Sequence, residues 1–225
     1  SPTNISIGSA RLGLKSALVT RVGDEHMGRF IREQLEAEGV DTSKVITDAE
    51  RLTALVLLGI RNTENFPLIF YRENCADMAI CEEDIDEEFI ASAGAVLVTG
   101  THFSTQGVAD ASFKAMKLAR KYGRRVCFDI DYRPNLWMLG GHGDGDSRFA
   151  ESEVVTAHLQ TILPHCDLVV GTEEEWHIAS GTTDTLTGLQ ACRSLSDAVF
   201  VCKRGALGCT VFATEIDGWH SGISV

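Results

Sequence analysis

The sequence predicts an α/β fold: a mostly parallel sheet covered by helices, with a small β lid set into it. Three observations carry this. Short apolar runs of strand length alternate with helix-length amphipathic segments along most of the chain, the pattern of strand–helix–strand units. Several of these runs end abruptly in polar or charged residues; the run at 126–130 stops before Asp131, Tyr132, Arg133 and Pro134. One pair of strand-like runs, 53–60 and 67–72, has nothing helical between its members and reads as a hairpin.

In chain order, residues 4–12 suit a helix with Gly13 as its C-terminal cap. Residues 16–22 suit a strand, turned by Gly23 and Asp24. Met27, Phe30, Ile31 and Leu35 mark one face of a helix that stops at Gly39. A short edge piece is expected at 40–45. The hairpin follows, joined by the polar turn 61–65. Residues 52–78 are assigned to the lid, and residues 1–51 with 79–225 to the α/β domain. Alternation then resumes. Helices are expected at 84–91, 106–122, 153–163, 173–180 and 186–195, with strands at 95–99, 126–130, 167–171, 199–203 and 209–212. Residues 140–146 (GGHGDGD) read as a mobile loop by composition. They lack the helix pair and closing Glu of a calcium loop.

A chain of 225 residues suits one large domain, or one with a small appendage. The net charge of −12 argues against nucleic acid and anionic membranes as general partners. A bound anion would need cations placed locally against that field. No apolar run approaches the ~18 residues of a membrane span. The opening Ser1-Pro2-Thr3-Asn4 has neither the basic end nor the apolar core of a secretion signal. The seven cysteines form no Cys-x-x-Cys pair, and Cys127 and Cys202 sit within apolar runs, so reduced core thiols of a cytoplasmic protein are expected. The histidines show no zinc spacing.

Chemistry concentrates at strand ends, where ligands of open α/β sheets bind. Asp129, Asp131 and Arg133 cluster where the strand at 126–130 ends; they form either a structural ion-pair network or a grip on an anion, for which the guanidinium fork is suited. Thr172 and Glu175 fit a capping box at a helix start. The same carboxylates could instead hold Mg²⁺ beside phosphates, directly or through water. Lys203, Arg204, Gly205 and Gly208 follow another strand; the glycines allow close approach to a phosphate, though Gly-x-x-Gly is also common in β-turns. Arg72 ends the second hairpin strand and equally suits an edge charge that blocks aggregation. His102 follows the strand at 95–99, where a lone His is commonly structural. There is no Walker A sequence and no Gly-x-Gly-x-x-Gly, which opposes P-loop and dinucleotide readings.

Together these stretches resemble the PfkB, or ribokinase-like, carbohydrate kinase family. The resemblance rests on Asn4, Arg11-Leu12-Gly13, Val22-Gly23-Asp24 with Gly28, residues 129–137, Thr172 to Glu175 and Lys203 to Gly208, and runs over essentially the whole chain. The stretches 71–77, 129–137 and 171–175 are most similar to sugar-acid kinases of the family. The resemblance implies a Rossmann-like domain with a β lid that phosphorylates a sugar-acid hydroxyl with ATP and Mg²⁺. It implies substrate contacts at Asn4, Gly23, Asp24, Arg72, Asn74, Thr101 and Arg133, nucleotide contacts at Thr172, Lys203, Gly205 and Gly208, and Mg²⁺ organised by Glu175. Two arginines facing one pocket would suit a carboxylate better than a neutral sugar. A homo-oligomer through the lid is a further expectation. Thr172 stands where the family often has Asn. The family's opening glycine pair is expected ahead of Ser1. Its Gly-Ala-Gly-Asp segment, with the catalytic base, is expected beyond Val225, so no catalytic residue is assigned within residues 1–225. Asp129 is the best internal substitute, and it is expected to be held ionised beside Arg133. A non-catalytic module that senses a sugar acid or nucleotide is the alternative from another class.

Overall fold

A computed structural model describes residues 2–60, 62, 67–139 and 150–225. The expected turn at 61–65, apart from Asn62, and the expected loop at 140–146 lie outside the described residues. The chain divides into two compact units. One holds the described part of 2–86 with Thr105–Lys114, the other Glu87–Ser104, 115–139 and 150–225.

In the first unit, helix α1 (Pro2–Arg11) has proline in its opening turn, where the fixed φ fits and no donor is lost. Gly13, at φ 88°, ends it as expected. Strands β1 (Thr20–Gly23) and β2 (Val45–Asp48) pair in parallel, from Thr20 opposite Val45 to Gly23 opposite Asp48. Helix α2 (His26–Ala37) is the crossover. The edge piece expected at 40–45 becomes a strand only at Val45. Val40 instead joins Leu18, Val22, Leu35 and Val45 in a buried cluster, with Ile7, Ala10 and Ile31 packed against it.

The inward face of α2 is rotated from the expected one. Gly28, Ile31 and Leu35 turn inward, while Met27 and Phe30 are 48% and 53% exposed. The cause is a close approach. A Cβ on Gly28 would lie 2.0 Å from the Gly23 carbonyl oxygen, so only glycine lets α2 seat on the end of β1. The hairpin forms as expected: β3 (Leu55–Leu58) lies antiparallel to β4 (Leu68–Tyr71), with Leu55 opposite Tyr71. All four residues of β3 are exposed.

The second unit contains α3 (Glu87–Ser92), β5 (Ala95–Thr99), α4 (Gln106–Lys121, whose first part groups with the other unit), β6 (Arg125–Asp129), α5 (Glu153–Ile162), β7 (Leu168–Thr172), α6 (Glu173–Ser180), α7 (Thr185–Arg193), β8 (Val199–Lys203), β9 (Cys209–Phe212) and β10 (Ile223–Ser224). Its sheet has the order β10-β9-β8-β7-β6-β5. Strands β5 to β8 are parallel, and β9 and β10 add antiparallel at one edge. This is the mostly parallel, helix-covered sheet that the alternation predicts. The edge strand β10, at 223–224, has no counterpart among the expected elements. It pairs with β9, Ile223 opposite Val211 and Ser224 opposite Thr210, and Val225 continues the pairing: its N donates to the Cys209 carbonyl at 2.8 Å and its carbonyl accepts from Cys209 N at 2.9 Å.

Val126, Phe128, Val169, Phe200 and Phe212 of the strands are fully buried with Trp176, Leu159, Ile162 and Leu189 of the helices. Trp176 packs on Phe200 with ring centroids 4.7 Å apart. All seven cysteines are free thiols, four of them buried. No described helix is long and apolar enough to cross a membrane. The register sets Thr99 opposite Asp129 and Thr172 opposite Lys203, so the polar ends of four neighbouring strands share one edge.

Candidate functional site

The site of the second unit is built at that edge. As the chain leaves β6, Ile130 N donates to the Val170 carbonyl at 2.9 Å. A Cβ on Gly100 would lie 1.9 Å from the Ile130 carbonyl oxygen, so glycine is required where the turn after β5 crosses this backbone. Asp131 then takes φ 33°, an uncommon conformation for a non-glycine residue. Tyr132 turns inward, buried, and its hydroxyl donates to the Ala150 carbonyl at 2.6 Å. Burial pushes that phenol up to about 12.

Arg133 is held from three sides. Its Nη2 lies 2.7 Å from Asp131 Oδ1, and its Nη1 donates to the Tyr132 carbonyl at 2.6 Å. Nη1 also lies 3.6 Å from Glu175 Oε1. The expected pairing with Asp129 is not made. Asp129 instead faces Lys203, with Nζ 3.4 Å from Oδ1. Burial raises the Asp129 pKa, Lys203 opposes and the Asp131 charge adds, so the net shift is upward. The expectation that Arg133 holds Asp129 ionised is therefore wrong.

The capping box at the start of α6 forms as read. Thr172 Oγ1 accepts from Glu175 N at 3.2 Å, and Glu175 Oε2 accepts from Thr172 N at 2.8 Å. The carboxylate is not only a cap. It is buried with Arg133 on one oxygen and Lys203 Nζ 3.8 Å from the other. Burial raises its pKa, and the Thr172 N–H and the two cations only partly offset that.

Lys203 closes the cluster. The next residue, Arg204, is spoken for: its Nε lies 3.5 Å from Glu173 and its guanidinium 4.0 Å above the Trp219 ring. Gly205 (φ 55°) and Gly208 (φ 79°) form the connection between β8 and β9, closed by Arg204 N to the Gly208 carbonyl at 2.8 Å. The β-turn reading of Gly-x-x-Gly is thus met. The two glycines differ in their surroundings. The space beside Gly205 is open, since a Cβ there would have nothing within 4 Å, whereas a Cβ on Gly208 would run into the Val225 carbonyl. Gly208 is therefore explained by its fit against Val225, without any ligand. Thr101 lies buried at the end of β5, its hydroxyl 2.9 Å from that of Thr99.

In the first unit, Gly23 ends β1 and donates to Thr53 Oγ1 at 2.9 Å. A Cβ on Gly23 would lie 2.6 Å from the Arg51 carbonyl oxygen. Asp24 is exposed beside Arg29. Glu25, absent from the sequence reading, organises this corner. Its carboxylate caps α2 through Met27 N (2.5 Å) and Gly28 N (3.2 Å) and accepts from the Thr53 hydroxyl. Burial works against its ionisation, but those hydrogen bonds outweigh it and lower the pKa. Glutamate is not among the usual capping residues, and the Thr53 contact is remote in sequence, so neither role had a local signal. Arg72 pairs with Asp77, and Asn74 accepts from Arg51 Nε at 3.3 Å. Asn4 is exposed in the first turn of α1.

The structure thus brings Arg133, Thr172, Glu175, Lys203 and the Gly205–Gly208 turn together in one unit, near Thr101. It gathers Gly23, Asp24, Arg72 and Asn74 around the hairpin base in the other. In the cluster, Arg133 and Lys203 are 35% and 41% exposed, above Glu175 at 4% and Asp129 at 18%. Cation tips over buried carboxylates can receive an anion without leaving charge unbalanced. No described group of three His, Cys, Asp or Glu side chains is arranged to enclose a metal ion. Glu175, with one oxygen in the cap, fits Mg²⁺ held through water on phosphates rather than a protein cage.

A helix-covered, mostly parallel sheet with cations and buried carboxylates at its strand ends is an open α/β architecture, in which ligands are met beyond the carboxyl ends of the strands. The chain matches the pfkB family carbohydrate kinase model over residues 1–221, and it belongs to that family. It is 37% identical over 177 residues to a 5-dehydro-2-deoxygluconokinase from Geobacillus kaustophilus, covering 78% of this chain and 49% of the relative. The chain therefore spans about half of that relative's length. A PfkB protein from a Polaromonas species superposes with a TM-score of 0.81 at 31% identity, covering 99% of this chain and 70% of its own. A double-mutant fructokinase from Vibrio cholerae, solved with fructose, ADP and a potassium ion, superposes with a TM-score of 0.80 at 25% identity, covering 100% and 66%.

Proposed function

We propose that this protein transfers the terminal phosphoryl group of ATP to a hydroxyl of a sugar acid, that the acid is 5-dehydro-2-deoxy-D-gluconate of inositol breakdown, and that it works in the cytoplasm. The observation that carries this reading is Arg133: a guanidinium at a strand end, held at 2.7 Å by Asp131, is oriented in advance for a planar anion. The named activity of the Geobacillus relative supports the same substrate. The ADP in the Vibrio fructokinase supports a nucleotide as donor.

In this proposal Arg133 grips the substrate carboxylate, with Thr101 among the substrate contacts. For the first unit taken by itself, the family resemblance implies Arg72, Asn74, Gly23, Asp24 and Asn4 as substrate contacts. Lys203 and the backbone at Gly205 and Gly208 meet the nucleotide phosphates, with Thr172 beside them. Glu175 orients water around Mg²⁺, which when bound would offset phosphate charge. The catalytic base is proposed to follow Val225 in the full-length protein, in the segment that the family resemblance implies. The exposed apolar ribbon of β3 and β4 is proposed to pair with a second copy of the chain, because an isolated two-stranded hairpin is marginal in water.

The test is a phosphorylation screen of the full-length protein with sugar acids against their neutral analogues. Preferred turnover of 5-dehydro-2-deoxygluconate is expected. Equal turnover of the neutral analogue would remove the role given to Arg133. A failure of every sugar tested, with nucleotide still bound, would favour the sensing module.

A further inference from the structure

Arg72 closes β4, and the chain beyond it doubles back. Asn74 takes φ 51° and is tied to Arg51 at 3.3 Å. Cys75 Sγ donates to the Tyr71 carbonyl at 3.4 Å, and Ala76 N donates to the Leu52 carbonyl at 2.9 Å. This tight return delivers Asp77 to the Arg72 side chain. Arg72 Nε and Nη2 converge on the same oxygen, Oδ2, at 2.6 and 2.5 Å. Both side chains are largely buried, 13% and 16% exposed. Asp77 Oδ1 is buried and has no hydrogen-bond partner.

A guanidinium and carboxylate arranged for stability would form the parallel fork and satisfy both oxygens. Here one oxygen takes both N–H groups and the other is left bare, an arrangement that costs stability. Local rules are broken in this way where function sets the geometry.

We propose that Asp77 is a positioning residue: it fixes the direction of the Arg72 guanidinium toward the carboxylate of the sugar-acid substrate. The inference rests on the reading of Arg72 as a substrate contact. Asp77 touches no reacting atom. It acts by removing the rotamer freedom that Arg72 would otherwise lose on binding.

The experiment uses steady-state kinetics of the full-length protein with the sugar acid and with its neutral alcohol analogue. Arg72→Lys tests the underlying reading by itself and should raise the KM for the acid. Asp77→Asn keeps the volume and removes the charge. It should raise the KM for the acid about tenfold, the size of a lost charged hydrogen bond. The kcat, the KM for ATP and the kcat/KM for the neutral analogue should stay near wild type. In the double variant the Asp77 effect should vanish, because the two residues act as one.

An unchanged acid KM in Arg72→Lys would sink the reading and the inference together. A large effect there with a silent Asp77→Asn would sink the inference alone. Equal losses on acid and neutral analogue in Asp77→Asn would mark a general structural role and also overturn it. Should Asp77→Asn fail to fold, Asp77→Glu keeps the charge but displaces it by a methylene. The same selective rise in acid KM is expected from it, and wild-type kinetics would refute the positioning role.

Discussion

Arg133 decides most at the scale of a single residue. Its hold on Asp131 and on the Tyr132 carbonyl depends on a planar fork with several N–H groups. Lysine carries the charge but not the fork. Arg133→Lys in the full-length protein should therefore lower sugar-acid turnover by about 2 kcal/mol or more in kcat/KM. Unchanged kinetics with a lower melting temperature would assign the residue to structure alone. Asp129 gives a second prediction, on pH. Burial raises its pKa in the folded chain, so the folded state holds this proton more tightly than the unfolded one. Such a group favours folding below its unfolded pKa, and that contribution is lost as pH rises toward the folded value. Asp129→Asn cannot titrate. Its stability relative to wild type should rise from the pH of an ordinary aspartate upward, measured by thermal unfolding across that range. A constant difference would show that Asp129 is not the strained carboxylate.

The elements divide into those that announce themselves and those that do not. Thr172 and Glu175 were legible because a capping box is local: four consecutive residues contain both halves of it. The strand ends were legible for the same reason, since apolar runs stop where charges begin. What was not legible depends on backbone detail or on distant partners. Arg133 pairs with Asp131 rather than Asp129, in a turn where Asp131 adopts φ 33°, and residue type reveals neither. The inward face of α2 depends on the fit of Gly28 against Gly23, and Glu25 finds Thr53 only after folding. The helix α6 offers a clean separation of its two roles. Glu175→Gln can still accept from Thr172 N, whereas Glu175→Ala cannot. The alanine variant should lose about 1 kcal/mol of stability. The glutamine variant should melt near wild type yet show a weakened Mg²⁺ dependence of rate in the full-length enzyme. Superimposable Mg²⁺ titrations would leave only the cap. The hairpin makes its own prediction. Leu57, exposed on β3 opposite Ile69, replaced by Lys should shift sedimentation toward a smaller species if copies pair through the ribbon. An unchanged mass would locate any association elsewhere.

For the molecule as a whole, the question is whether residues 1–225 can complete a phosphoryl transfer. Such a reaction needs an oriented nucleophile, a group to receive its proton, and positive charge or dipoles at the moving phosphoryl group. The chain supplies candidates for orientation in Arg133 and for charge in Lys203. Its strand-end carboxylates are otherwise engaged. Asp131 holds Arg133 at 2.7 Å, Glu175 closes the capping box at 2.8 Å, and Asp129 faces Lys203 at 3.4 Å. Asp129 has the raised pKa that suits a general base. To act, however, it would have to give up the cation that the proposed nucleotide site requires. The Gly-Ala-Gly-Asp segment that the family resemblance associates with the base does not occur between Ser1 and Val225. A preorganised donor of the kind such a segment contributes can be worth about 3 kcal/mol by itself. Residues 1–225 assayed alone with ATP and a sugar acid should therefore show no turnover above background, while the full-length protein turns over. Comparable rates from the two would place the base within this chain, and Asp129→Asn would then be expected to abolish the activity of both.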